Sequence, residues 1–541
     1  MRFLQRIFTR LRQDPSQTVL REARPEGFMD VSAGELLNQV QSVRATVREA
    51  GLRKGDRCAL LAANSAGWAA FNLALMAEGV ILVPFYTRQA ASELAVMLKD
   101  CEPALICCGT AALGDTIRAA WTDAPTIFLL DESTSRKTST ENGEPASTSL
   151  ESDPGTESDP VAIIYTSGTS GEAKGAILLA ANVNFMLSQT TARLDVLMGQ
   201  SGTLDRVFHY LPFCFAGSWI LMLSCLVRTS VLTISTDLTT LADDIQKTGP
   251  HYFLNVPMLL DRMKSAVETK LRERGGFALS VFTKAMRPGT HLFWTALAKA
   301  MFGPRIRRSF GPNLKTLICG SAPLTVDTQQ FFMMFGIPLL QVYGLTETCA
   351  ICTMDEPDRV DPGYVGQAID GVEITVSDEG ELLVRGPNVF AGYWNRPEAT
   401  AEVLRNGWFH TGDTGESNGR GNWRITGRLR NIIVLSSGHN IAPEPVEQKL
   451  LLSIPGAAQV VVVGHGRRSL CAIVSGAVAY EEADKAIKSL NTGQTHYKQI
   501  RGLHIAREPF TIENGLLTAN GKLKRDAVSK RFQTEIEKLA R

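Results

Sequence analysis

Tyr165-Thr166-Ser167-Gly168-Thr169-Ser170-Gly171-Glu172-Ala173-Lys174-Gly175 packs three glycines, four aliphatic hydroxyls and one lysine into eleven residues. That composition suits a loop that holds phosphate. Glycines let backbone N–H groups turn toward an anion with no Cβ in the way, hydroxyls donate further hydrogen bonds, and the lysine supplies a mobile positive charge. The run before it, residues 161–165, is mostly β-branched and aromatic and reads as a buried strand from whose end the loop leaves. The pattern G-x-x-x-x-G-K-[ST] fails here, because Ala173 stands where its second glycine belongs and Gly175 where its magnesium-binding hydroxyl belongs. A glycine-rich surface turn without a ligand stays open as long as this segment is read alone.

The 541 residues exceed what one compact core accommodates and suggest about three domains. With 44% hydrophobic and 21% charged residues the chain has the composition of a globular enzyme. A net charge of +1 creates no global field, so no nucleic-acid partner is expected. Ten cysteines are scattered, with one adjacent pair, Cys107 and Cys108, and one C-x-x-C at Cys349 and Cys352. Without a second pair or nearby histidines these read as buried free thiols in a reducing, cytoplasmic compartment. No signal-peptide pattern is read in the first residues.

Two segments raise the question of membranes. Residues 210–227 (YLPFCFAGSWILMLSCLV) carry no charge and approach spanning length, but Pro212 and Gly217 favour a buried helix beside an apolar pocket. In MRFLQRIFTRLRQ, helical spacing puts Phe3, Leu4, Ile7, Phe8 and Leu11 on one face and Arg2, Arg6, Arg10 and Arg12 elsewhere. Two readings fit: a helix lying on a membrane surface, which gives peripheral membrane contact, and a helix docked on the protein.

Across residues 28–127, helical stretches (33–50, 68–77) alternate with short strand-like runs (58–61, 80–84, 104–108). Residues 131–159 are rich in Ser, Thr, Glu, Asp, Gly and Pro and read as a mobile acidic loop. Alternation resumes over 161–315, and 373–385 with its Asp378-Glu379-Gly380 turn reads as antiparallel strands. The last segment has its own strand (459–463) and helix (481–490). The expected class is α/β: a large N-terminal layered α/β domain with associated antiparallel strands (1–429), plus a small mobile α+β C-terminal domain (430–541).

Further segments follow in order: Gly320-Ser321-Ala322-Pro323-Leu324, Tyr343-Gly344-Leu345-Thr346-Glu347-Thr348, Trp408-Phe409-His410-Thr411-Gly412-Asp413, Gly427-Arg428-Leu429-Arg430-Asn431 and Asn520-Gly521-Lys522-Leu523-Lys524-Arg525. With the opening loop they resemble, in order and spacing, the core motifs of the acyl-adenylate-forming (AMP-binding) superfamily. The resemblance runs over about residues 51–525, and six segments in the right order are a specific signal where one alone is weak. Residues 432–447 (IIVLSSGHNIAPEPVE) and 499–525 (QIRGLHIAREPFTIENGLLTANGKLKR) look most like long-chain fatty acyl-CoA synthetases.

The resemblance implies ATP-dependent activation of a fatty acid to acyl-AMP, with release of pyrophosphate, then transfer to CoA. ATP, Mg2+ and CoA are the implied cofactors. It also implies that Thr166, Ser167, Gly168, Thr169 and Lys174 contact the β- and γ-phosphates. Tyr343 and Gly344 would meet adenine beside the backbone of Gly320, Ser321 and Ala322, Thr346 the α-phosphate, and Glu347 the magnesium. Asp413 would accept from the ribose hydroxyls and Arg428 would reach ribose or phosphate. Lys522 is the implied catalytic lysine, with Lys524 near enough to leave the register open. Arg430 is the implied hinge, Gly438 and His439 lie on a loop brought toward CoA by domain rotation, and Phe215 and Trp219 are acyl-tunnel candidates.

Two positions depart from the family pattern. Phe215 stands where a histidine is common, and Asn431 where aspartate is common. An already ionised carboxylate needs no general base, so His209 and His410 read as structural. The alternatives are a ligase that hands the acyl group to a carrier protein and a nonenzymatic nucleotide-binding protein of the same fold.

Overall fold

The structure is a computed structural model and describes residues 2–131, 155–166, 173–199, 204–287, 292–518 and 521–539. Ser167, Gly168 and Thr169, nearly all of the acidic stretch 131–159, and Asn520 lie outside the described residues.

Two large sheets carry the N-terminal part. Among the described residues one runs in the order Gly392–Tyr393, Lys174–Leu179, Pro160–Thr166, Ile81–Pro84, Arg57–Leu61, Leu105–Cys108, Ile127–Leu129. Ile81–Pro84 and Leu105–Cys108 are buried at every position. Unbroken apolar runs are what parallel strands covered on both faces require. Pro160–Thr166 pairs antiparallel with Lys174–Leu179, with Thr166 opposite Lys174.

The other large sheet runs Gln367–Ala368, Thr353–Met354, Leu339–Tyr343, Thr316–Cys319, Tyr252–Asn255, Asp205–His209, Ser230–Ile234, Thr18–Arg24, Gly27–Ser32. Its pairings are parallel from Thr18–Arg24 to Leu339–Tyr343 and antiparallel outside them. Helices Ala33–Glu49, Ala66–Ala77, Ala180–Met198 and Ala216–Val227 supply the apolar core shared with these sheets. Ala33–Glu49 starts at a reciprocal cap between Ser32 and Glu35. Ala66–Ala77 is buried all round save Gly67, and its sequence is correspondingly apolar.

The N-terminal helix forms over Arg2–Gln13, and its five apolar residues are at most 2% exposed. It packs against Ala216–Val227 and Ala33–Glu49, the Phe3 N–H donates to Asn184 Oδ1 at 2.9 Å, and Arg10 Nη1 donates to the Leu226 carbonyl at 3.3 Å. The face offered to lipid in the membrane reading is therefore inside the protein, and the docked reading holds. No helix among the described residues is long and apolar enough to cross a membrane, and 216–227 is the buried helix expected.

Strands Glu373–Val376 and Glu381–Arg385 form the expected antiparallel pair, with Gly380 at φ +83° in the turn. They continue into Trp408–Ser417, which pairs with Leu404–Arg405 and Trp423–Arg428. The C-terminal part builds its own core on a sheet of Ala457–Val463, Leu470–Gly476 and Ile500–Ile505. Helices Glu444–Ser453 and Tyr480–Asn491 cover one face, and Arg525–Arg531 and Gln533–Leu539 the other. All ten cysteines are buried and free, and burial pushes the Cys352 thiol up to about 12, so it stays protonated at neutral pH.

Candidate active site

The segments singled out in the sequence meet where the large sheets end. Strand Leu339–Tyr343 stops at Tyr343, and the chain bends into one 3-10 turn, Thr346–Thr348. A Cβ at Gly344 would lie 2.0 Å from the Ala350 carbonyl oxygen, so glycine is required for these two passes of chain to touch. Cys349 and Ala350 close the bend at φ +52° and +117°, conformations that cost about 1–3 kcal/mol each outside glycine. The adjacent strand Thr316–Cys319 delivers Gly320, where a Cβ would approach Val342 Cγ2 to 2.7 Å, and then Ser321 at φ +71°. The backbone of Gly320, Ser321 and Ala322 is thereby brought next to Tyr343.

Two buried carboxylates face this bend, each with a tyrosine. Tyr393 donates its hydroxyl to Glu347 Oε1 at 2.8 Å, and Tyr343 donates to Asp413 Oδ2 at 2.8 Å. Asp413 and Arg428 are directly opposite each other on paired strands, and Arg428 Nε lies 2.9 Å from Asp413 Oδ1. Burial raises the pKa of both carboxyls; Arg428 and Tyr343 oppose the shift at Asp413. Glu347 has no ion-pair partner of its own among the described residues. Lys174 holds its ammonium 5.4 Å from the centre of the Tyr393 ring, and Thr166 Oγ1 donates to the Lys174 carbonyl at 3.4 Å. Thr346 is half-buried at the start of the Glu347 turn.

Lys522 comes from the far end of the chain to the same place. The residue keeps exposed surface, while crowding by protein and the Arg428 charge push its pKa down and Asp413 and Glu347 act the other way. Lys524 points elsewhere, with Nζ 2.6 Å from Glu93 Oε1. The two lysines that left the register open in the sequence thus have separate partners.

Between these parts lies the turn Leu429–Asn431. Asn431 Nδ2 donates to Glu444 Oε1 at 2.6 Å, a bond to a neutral amide where an aspartate would have met repulsion. Arg430 is lowered in pKa by burial and by Arg428. Gly438, at φ +80°, and His439 are not drawn to the carboxylates: His439 stacks on Tyr497 with ring centres 4.0 Å apart and bonds Ser437 Oγ through Nδ1 at 2.9 Å. Phe215 is half-buried, its ring 5.8 Å from Tyr86. Trp219, read as a tunnel candidate, has no accessible surface and donates Nε1 to Asn72 at 3.1 Å; its place is in the packed core. His410 bonds Glu381 through Nδ1 at 2.8 Å. His209 is fully buried on Phe213, and burial lowers its pKa to about 4.

Some participants gave no signal in the sequence. Tyr393 reaches Glu347 only because Gly392–Tyr393 pairs as an edge strand with Lys174–Leu179. Behind Tyr343, Asp355 Oδ2 accepts from the Gln341 N–H at 2.8 Å and from Gln329 Nε2 at 3.3 Å, and Gln341 Nε2 bonds Gln329 Oε1 at 2.8 Å. This buried network fixes the strand that presents Tyr343.

Comparison with known proteins agrees with this geometry. The family model described as AMP-binding enzyme matches residues 7–394, and the one described as AMP-binding enzyme C-terminal domain matches 430–541. The Mycobacterium bovis protein named "Long-chain-fatty-acid--CoA ligase FadD15" is 26% identical, over 98% of this chain and 96% of its own length. An Arabidopsis thaliana chloroplast protein, "Long-chain-fatty-acid--[acyl-carrier-protein] ligase AEE15", is 27% identical over 93% of this chain and 82% of its length. Among solved structures, o-succinylbenzoate coenzyme A synthetase (MenE) from Bacillus subtilis, in complex with ATP and magnesium ion, shares the fold with a TM-score of 0.74. It is 20% identical, and the match covers 96% of this chain and 98% of that one. With family models matching residues 7–394 and 430–541, the chain belongs to the AMP-binding enzymes.

Proposed function

We propose that this enzyme is a long-chain fatty acid–CoA ligase that forms acyl-AMP from a fatty acid and ATP, releases pyrophosphate, and passes the acyl group to CoA. The observation that carries the reading is that Glu347, Asp413, Arg428 and Lys522 lie within electrostatic reach of one another. A carboxylate is a poor electrophile, and joining it to the α-phosphate gives it AMP as leaving group. The attack brings a negative oxygen to a polyanion, so fixed positive charge lowers the barrier most. Lys522 neutralises charge building on the α-phosphate and the acid, Lys174 and the glycine- and hydroxyl-rich segment before it hold the outer phosphates, and Thr346 contacts the α-phosphate. An ionised carboxylate has about four lone-pair sites. Asp413 therefore keeps capacity for two ribose hydroxyls beside Arg428 and Tyr343. Glu347 fits magnesium: it is a hard oxygen donor, buried and without an ion-pair partner among the described residues, and such an ion needs only one or two carboxylates besides substrate phosphates. Bound there, the ion would offset repulsion between the reacting anions.

In this reading residues 1–429 form the adenylation domain and 430–541 a lid that rotates about Arg430, so that Gly438 and His439 approach CoA in the second step. The test is AMP release by purified protein over a ladder of fatty acids, with and without CoA, alongside pyrophosphate exchange. Exchange with long acids and AMP release that needs CoA are expected. AMP release that follows added acyl carrier protein instead of CoA would change the acceptor. Absence of exchange with every acid would leave a nucleotide binder.

A cytoplasmic enzyme on long acids draws on substrate held in membranes, so peripheral contact is part of the reading. With Arg2–Gln13 turned inward, that contact is assigned to helices Pro257–Arg274, Gly276–Ala285 and Leu292–Ser309. Residues 257–309 hold eleven Lys and Arg against three Asp and Glu. Phe277 and Phe293 are 66% and 65% exposed, and the Lys284 ammonium lies 4.2 Å from the Trp294 ring centre. Exposed aromatics in a basic field suit an anionic bilayer. Phosphatidylglycerol vesicles should sediment the protein at low salt and phosphatidylcholine vesicles should not. Phe277→Ser with Phe293→Ser should cut that binding several-fold without changing AMP release on a short, soluble acid. Binding indifferent to lipid charge would remove the assignment.

A further inference from the structure

Around Lys522 the chain forms a short hairpin. The Thr518 N–H donates to the Lys522 carbonyl at 2.7 Å, the Lys524 N–H donates to the Leu516 carbonyl at 2.9 Å, and Leu517 bridges Leu523. Alternate residues of extended chain face opposite sides. Leu523 accordingly packs on the C-terminal core, and Lys522 and Lys524 leave together on the other side. Lys522 meets the charges of Arg428, Asp413 and Glu347, while Lys524 meets Glu93 at 2.6 Å.

Glu93 stands in the first turn of helix Ala91–Cys101, in the N-terminal part, and its second oxygen accepts from Gln89 Nε2 at 3.2 Å. Burial would raise the Glu93 carboxyl, but hydrogen bonds from Lys524 and Gln89 and the Lys524 charge outweigh it and hold the pKa below the ordinary value. A second contact joins the two parts, from Gln448 Nε2 to the Pro323 carbonyl at 2.9 Å, just after Ser321 and Ala322.

We propose that Glu93 is a positioning residue for acyl-AMP formation: by gripping Lys524 it seats Lys522, two residues away, beside Asp413 and Glu347, and the grip opens for transfer to CoA. The proposal rests on the two-step reaction given above. Side chains about one-third exposed, 35% for Lys524 and 37% for Glu93, make a weak ion pair that shifts a two-state balance about two- to fivefold. A weak grip suits a contact that opens in every turnover. Because the Glu93 pKa is lowered, the pair persists above the ordinary glutamate value and is lost only as pH falls through the lowered one. Near neutral pH the lever is therefore ionic strength, through screening.

The experiment measures pyrophosphate exchange and, separately, transfer from preformed acyl-AMP to CoA, at low and high salt. It compares the wild type with Glu93→Gln, Lys524→Gln and the exchanged pair Glu93→Lys with Lys524→Glu. The single variants should slow exchange about two- to fivefold at low salt, match the wild type at high salt, and leave transfer equal or faster. The exchanged pair should recover exchange. Equal loss in both steps, unchanged exchange in the single variants, or an exchanged pair as slow as either single would overturn the grip. Wild-type exchange tests the two-step reading by itself. Independently of activity, protease cleavage at the 429–431 turn should quicken in Glu93→Gln at low salt, and an unchanged rate overturns the proposal.

Discussion

Replacing Lys522 by alanine removes the one ammonium that the C-terminal part brings to Asp413 and Glu347. Acyl-AMP formation should fall at least about a hundredfold, since fixed charge at the developing anion contributes on that scale, while transfer from preformed acyl-AMP stays near wild type. Pyrophosphate exchange and single-turnover transfer measure the two separately, and equal losses would remove Lys522 from its role. A second residue sets a pH dependence. Asp355 is fully buried, its Oδ1 has no hydrogen-bond partner among the described residues, and burial raises its pKa to about 7. With a folded pKa above the unfolded value, its stabilising share is complete below about pH 4 and is lost as pH rises through 7, by at most about 1.4 kcal/mol per pH unit. Thermal unfolding should show the wild type losing more stability between pH 5 and 8 than Asp355→Asn.

Among elements, the N-terminal helix separates two fates that one apolar stripe allows. Ile7 has no exposed surface, and Ile7→Ala should cost about 2–4 kcal/mol, as cavity formation in a core does. Denaturant unfolding gives the cost, and vesicle binding should not change with it; a stability loss within error would mean the helix is not part of the core. The strand Pro160–Thr166 was legible because a β-branched run feeding a glycine-rich loop reads as a buried strand, while its antiparallel partner Lys174–Leu179 was not. The bend at Gly344 was less so: its need for glycine comes from Ala350 passing 2.0 Å from where a Cβ would stand, a contact no local pattern announces.

At the scale of the molecule, the candidate site draws on both the N-terminal and the C-terminal parts, so a ligand bound there should hold them together. An acyl-AMP analogue at a hundred times its dissociation constant should add about 2.7 kcal/mol of stability. Differential scanning calorimetry should show that gain reduced in Lys522→Ala, and an equal gain would mean that the C-terminal part does not contact the ligand. Charge is also organised at this scale. The overall +1 conceals an excess of eight positive charges in residues 257–309, and a near-neutral total said nothing of where a negative surface would bind.

Motif spacing, apolar periodicity and glycine placement determined the α/β class and the family and singled out Glu347, Asp413, Arg428 and Lys522 as candidates, because those features are written in short stretches of chain. Pairing across distance was decided only by the tertiary structure. Tyr393 meets Glu347, Lys524 meets Glu93, and the stripe of Arg2–Gln13 meets Ala216–Val227. The physical reason is that a hydroxyl, an ammonium or an apolar face is chemically the same whatever it touches, and its partner is chosen by how sheets and helices pack hundreds of residues away.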